Sequence, residues 1–229
     1  MSEVWDRSVP LPSLDGPPVD RFVIEAGAKR QRHQLLRLPS PQPDYAVGFL
    51  HRAFTPAQRR RLEPFVGGHT DKSLFMGTSK MYFPFMTTEV KCEGGRLTTA
   101  ERQNAHSTAL AVRGVVEPFR QVHRENEVNR EILAFSVCHD HITAEIYAHY
   151  PVISGPQTEY YCHLIQVCQL RGKERWLPYR FTMTVYTDWV PVHLKRLRSA
   201  IDELEEIVNA VCDIGPGSGD APSVVPGQV

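Results

Sequence analysis

MYFPFMTTEVK, residues 81–91, sets Tyr82, Phe83 and Phe85 ahead of Thr87, Thr88 and Val90. Aromatic and β-branched residues at this density read as a β-strand, and Pro84 places an edge or a bulge near its start. Gly94 and Gly95 then turn the chain, and Thr98 with Glu101 forms a capping-box pattern ahead of a long helix to about His123. Ala105, Ala109, Val112, Val116 and Phe119 mark its apolar side, and Pro118 should kink it.

Upstream, YAVGFL (residues 45–50) reads as a shorter strand behind Pro43-Asp44, because a proline holds the preceding residue extended. Thr55-Pro56 opens a brief helix over AQRRRLEPF, closed by Gly67 and Gly68. Phe22, Val23, Ala26, Leu35 and Leu36 predict a first helix, ended by Pro39, Pro41 and Pro43. Downstream, residues 132–138, 142–150 and 159–168 are strand candidates, the first two joined as a hairpin. Leu194, Leu197, Ile201, Leu204, Val208 and Val211 recur at steps of three and four, an apolar stripe along a C-terminal helix. That stripe reads as core, with a homodimer through it as the other outcome.

The 229 residues balance 26 Lys and Arg against 26 Asp and Glu, so bulk charge names no partner. With 41% hydrophobic and 23% charged residues, the chain can build one sizeable core. Residues 1–18, with four prolines, and the Gly/Pro-rich residues 213–229 are expected to be disordered, leaving 19–212 as a single domain. No apolar run suits a membrane span, and MSEVWDRSVP does not resemble a signal region. Five scattered cysteines without a CxxC pair suit a reducing, intracellular setting, nucleus or cytoplasm, with no membrane partner.

Chemistry concentrates at Asp44, Glu89, Lys91 and Gln103. Side chains alternate along a strand, so Glu89 and Lys91 project from one face, an acid beside an ammonium. Asp44 stands at the mouth of the neighbouring strand. Two converging carboxylates with a main-chain carbonyl make a hard oxygen site of the kind Mg2+ accepts, and Gln103 in the first turns of the helix points back to it. Such a metal would supply a nucleophile from water and neutralise charge on a phosphodiester. The rival reading is a surface ion pair with a turn-capping Asp. Residues 28–62 carry eight basic side chains, Lys29, Arg30, Arg32, Arg37, Arg52, Arg59, Arg60 and Arg61, against Asp44 alone. This patch is expected to surround the site and to grip a phosphate backbone, or else to be a solvated helical face. His139-Asp140-His141 reads as a hairpin turn, and Cys162 and Cys168 as structural. No GxSxG elbow, P-loop or dinucleotide fingerprint is present.

Pro43-Asp44, Glu89-Val90-Lys91 and Gln103 in AERQNAHSTALAV resemble the PD-(D/E)xK nuclease-like superfamily. PQPDYAVGF, YFPFMTTEVKC, LTTAERQNAHSTALAV and EILAFSVCHDHITAEIYAHYPVI are similar to a fungal family of uncharacterised domains assigned to it, over roughly residues 40–170. The resemblance implies an α/β fold with a mixed central β-sheet flanked by helices, a restriction-endonuclease-like core. It further implies Mg2+ (or Mn2+) held by Asp44 and Glu89, with Lys91 catalytic and Gln103 in support. An additional acid on the first helix, Glu25, completes the pattern. The function implied is hydrolysis of nucleic acid, DNA favoured. A catalytically inactive module of the same fold, binding nucleic acid or a protein, is the alternative.

Overall fold

The computed structural model describes residues 22–26, 42–66, 73, 75–92 and 95–205. The expected disordered ends, Leu35, Leu36, Gly67, Gly68, Gly94, Val208 and Val211 lie outside them. The aromatic and β-branched stretch forms the strand β3 (Met81–Val90). It lies inside a six-stranded sheet whose order follows the chain: β1 (Phe22–Ala26), β2 (Tyr45–Leu50), β3, β4 (Ala134–His139), β5 (Thr143–Ser154) and β6 (Gln157–Gln169). Every neighbouring pair is antiparallel except β3 and β4, which run parallel, so the sheet is mixed. Helix α1 (Pro56–Val66) follows β2, α2 (Leu97–Gln121) joins β3 to β4, and α3 (Leu177–Thr184) leads through a π-turn into α4 (Val190–Glu203). The class is α/β.

The first segment departs from expectation. Phe22, Val23 and Ala26 belong to a strand, not a helix, with Phe22 opposite Phe49 and Ala26 opposite Tyr45. Five residues of FVIEA offer little helix but a good strand, and the edge of β2 satisfies their backbone.

Local signals decide the helix starts. Thr55 Oγ1 accepts from the Gln58 amide at 3.2 Å while Gln58 Oε1 accepts from the Thr55 amide at 3.0 Å, a reciprocal cap on α1. The cap expected from Thr98 and Glu101 does not form. Helix α2 begins at Leu97 with Arg96 at its cap position and no side-chain bond there, so Thr98 already lies inside the first turn. The helix runs on through Pro118. Its buried stripe takes in Val112, Val116 and Phe119 but also Asn104, Ser107 and Thr108, while Ala105 and Ala109 are half-buried.

Alternation along the strands sorts the two faces. Thr87 and Ser136, paired across β3 and β4, face α2: Thr87 Oγ1 donates to Asn104 Oδ1 at 2.7 Å. Ser136 Oγ meets His149 Nε2 at 2.8 Å, and His149 Nδ1 lies 2.9 Å from Thr108 Oγ1. Phe135 therefore points to the opposite face, where Phe181 and Trp189 pack on its ring at 5.3 and 5.1 Å between centroids. Helices thus cover both faces. Near its start β3 bulges: Val47 pairs with Met86 but Phe49 with Tyr82, and Phe83 adopts φ of 44°. Pro84 sits in that bulge, where no ladder amide is needed. Leu194, Leu197, Ile201 and Leu204 are buried in the chain's own core.

Burial keeps two imidazoles neutral. It pushes His149 down to about 4 and holds His193, stacked on Trp189 at 4.2 Å, well below the ordinary range. Both take up a proton more readily in the unfolded chain, so the stability they confer is complete above the ordinary value of 6.5 and is lost as pH falls through the window below it. The thermal midpoint is expected to drop as pH falls from 6.5 towards 4, each group contributing up to about 1.4 kcal/mol per pH unit. Thermal denaturation across that range checks this, and His149→Gln should flatten the decline.

Candidate functional site

The β2–β3 register pairs Tyr45 with Thr88, and one step further the ladder brings Asp44 opposite Glu89. Asp44 Oδ2 accepts the Val90 amide at 2.7 Å, which ties the entry of β2 to the exit of β3. Glu89 shares the parity of Thr87 and so faces α2, two residues along the same strand. It is only 3% exposed. Lys91 continues the parallel pairing, its amide donating to the His139 carbonyl at 2.9 Å. Its ammonium lies 3.4 Å from Glu89 Oε2 and donates to Gln103 Oε1 at 2.7 Å. The four residues singled out from the sequence thus converge at one end of β3, beneath the first turns of α2.

Two carboxyls this close are in conflict. Burial first, and then the charge of Asp44 within hydrogen-bonding reach, raise the Glu89 carboxyl above its ordinary range, while the Lys91 ammonium pulls the other way. A cation between the acids would relieve both effects. Among the described residues no group of three His, Cys, Asp or Glu side chains gathers where it could hold a metal, so Asp44 and Glu89 form a two-carboxylate set.

Asn104 was not foreseen. It is fully buried, accepts from Thr87, and donates through Nδ2 to the Val137 carbonyl at 2.9 Å and to Cys138 Sγ at 3.2 Å. The available signal was an amide within the helical run QNAHSTALAV, where an unpaired polar group would be costly. Cys138, paired across the ladder with Glu89, is buried beside it with its thiol pushed up to about 11. On β5, Tyr147 donates its hydroxyl to Glu145 Oε2 at 2.9 Å and packs with Leu97, Ala100 and Cys138.

Other expected residues lie elsewhere. Glu25 sits on β1, its backbone opposite Ala46, and not on a helix. Arg59, Arg60 and Arg61 belong to α1, and Arg52 to the short turn before it, at the far end of β2, about 17 Å from Tyr45 along an extended strand. These arginines do not surround the acids, because β2 carries the chain away before α1 begins, and Arg61 instead lies 3.6 Å from Asp202. Lys29, Arg30, Arg32 and Arg37 lie outside the described residues. Asp140 Oδ1 accepts the Ile142 and Thr143 amides at 2.7 and 2.8 Å, so His139-Asp140-His141 is a hairpin turn. Cys162 and Cys168 are free thiols.

These features define an α/β domain with a partly buried pair of acids, an ammonium and a carboxamide at the end of its central parallel strand pair. The chain belongs to the family described as Domain of unknown function (DUF7924), whose model matches residues 1–201. No curated protein and no solved structure matches it. No described helix is long and apolar enough to cross a membrane.

A carboxyl raised in the folded state holds its proton more tightly there, so Glu89 costs stability as pH rises above its ordinary value of 4.5. Glu89→Gln is expected to lack that cost, with a thermal midpoint above wild type at pH 7 and a smaller difference at pH 4. Paired melting curves check this, and the imidazole effects, common to both proteins, cancel.

Proposed function

We propose that the chain hydrolyses phosphodiester bonds of nucleic acid, DNA in preference to RNA, with a PD-(D/E)xK-type site on a restriction-endonuclease-like core. The observation that carries this is the convergence of Asp44 just ahead of β2, Glu89 and Lys91 at the end of β3, and Gln103 on α2. Asp44 and Glu89 would hold Mg2+ (or Mn2+), an ion that accepts one or two carboxylates and keeps positions for water and phosphate. The charge of Asp44 beside the buried Glu89 fits the pair to a cation. When bound, the metal lowers the pKa of water and offsets charge growing on the phosphate.

Lys91 supplies a compact positive charge with three donors. One goes to Gln103 and one to Glu89, which leaves the third to hold an attacking water or an unesterified phosphate oxygen. The water oxygen bonds to phosphorus as the P–O ester bond breaks. The electron pair leaves with the ester oxygen, which takes a proton from solvent, and the water's own proton passes to solvent. Glu89 keeps the ammonium close. A nucleic-acid substrate is compatible with the nucleus or the cytoplasm.

A second reading, a module that binds nucleic acid or a protein without cutting, is favoured by the set of two carboxylates found among the described residues. Incubating the protein with DNA and Mg2+ or Mn2+, and with chelator as control, separates the two. Cleavage is expected to fall by about a hundredfold or more in both Lys91→Ala and Asp44→Ala with circular dichroism unchanged. Calorimetry should show Mg2+ binding that Asp44→Asn loses. Cleavage that survives both alanine substitutions would overturn the mechanism, and DNA binding without metal heat or cleavage would favour the module.

A further inference from the structure

We infer that Gly95 and Asn104, neither of which touches the reacting groups, are positioning residues that fix the Lys91 ammonium between Glu89 and Gln103. The effect on turnover rests on the hydrolytic reading above, whereas the effect on where the ammonium sits does not.

A lysine carries its charge on a flexible four-carbon stem, so nothing intrinsic to Lys91 places that charge. Two restraints from the segment after β3 do so. The first acts on the stem. The turn after β3 closes with the Gly95 amide donating to the Cys92 carbonyl at 2.9 Å, which brings the bare Cα of Gly95 down on Lys91. A Cβ at Gly95 would stand 3.0 Å from Lys91 Cβ, 3.4 Å from its Cδ and 3.1 Å from the Cys92 carbonyl oxygen. A Cβ at this position therefore makes the stem or the Cys92 carbonyl give by a few tenths of an ångström.

The second restraint acts on the tip. Gln103, the acceptor for the ammonium, is itself exposed, and its carboxamide is only as well placed as the helical turn that bears it. The adjacent Asn104 fixes that turn. It is bonded to Thr87 on β3, two residues before Glu89, and to Val137 and Cys138 on β4, the latter in register with Glu89. The start of α2 is thereby held against the strand that carries the buried acid and against the parallel strand beside it. Ser107 adds a bond from its hydroxyl to the Gln103 carbonyl at 3.1 Å.

The test uses the full chain and two mild substitutions, Gly95→Ala in an exposed turn and Thr87→Val, which removes one bond to Asn104 without removing bulk. The side-chain amide cross-peak of Gln103 in a nitrogen–proton correlation spectrum, assigned by its loss in Gln103→Glu, reports the ammonium contact, and Lys91→Met shows its position without that contact. Both Gly95→Ala and Thr87→Val are expected to move the peak towards the Lys91→Met position. Both should also lower kcat about tenfold with KM and Mg2+ affinity unchanged. Folded variants whose Gln103 peak stays at the wild-type position would overturn the inference, as would a loss expressed only in KM or in metal affinity. If the wild type does not cleave, the hydrolytic reading fails, and the cross-peak still decides the geometry.

Discussion

Strands β3 and β4 lie side by side and run in the same direction, which a chain achieves only by leaving the sheet and crossing back over one face. Helix α2 is that crossing. Because only six residues separate it from β3, its first turns stand over the end of that strand, and a glutamine there can reach a lysine just past the last strand residue. Its far end delivers Phe119 into the core, and the following Arg124 pairs with Glu127 and Glu203 at 2.6 and 2.7 Å. The antiparallel hairpins on either side add width, but the parallel pair decides where polar chemistry can gather.

The two faces of the sheet are built from different materials. Towards α3 and α4 the contacts are aromatic: Phe49 on Phe85, Phe85 on Trp189, and Trp189 on Phe135. Towards α2 lie Thr87, Glu89, Asn104, Thr108, Ser136 and His149, all buried and mostly bonded to one another. Buried polar groups are tolerated when each finds a partner, and here hydroxyls, an amide and an imidazole supply them across three strands and a helix. Glu89 stands at the margin of this network, where a carboxylate can be buried yet still reach solvent through Lys91 and Gln103. The apolar face holds the sheet together, while the wired face fixes geometry.

Much of this was legible from local chemistry. The Thr55-Pro56 start, the Asp140 hairpin and the strands from β2 to β6 each rest on residues within a few positions of one another. Glu89 and Lys91 were legible because strand alternation fixes their face, and Asp44 because it opens the next strand. Strand β1 was misread as helix, since what makes FVIEA a strand is an edge some twenty residues away. Asn104 was missed because its three partners come from β3 and β4. Arg52, Arg59, Arg60 and Arg61 were misplaced for a plain geometric reason: β2 carries the chain from Asp44 to the other end of the sheet before they occur. The Thr98 cap failed by one residue, because the helix had already begun.

Gly48 sits directly beneath the bulge of β3, where a Cβ would come within 2.5 Å of Met81 Cγ and 3.0 Å of both Pro84 Cα and the Tyr82 carbonyl oxygen. The bend at Phe83 and the missing side chain on β2 are two halves of one fitted joint. Neither half can be exchanged alone: a residue with a side chain at 48 would prise the strands apart, and a straightened β3 would leave Gly48 facing a gap. Any redesign of this sheet, or any grafting of its hairpin onto another scaffold, has to move both pieces as a unit.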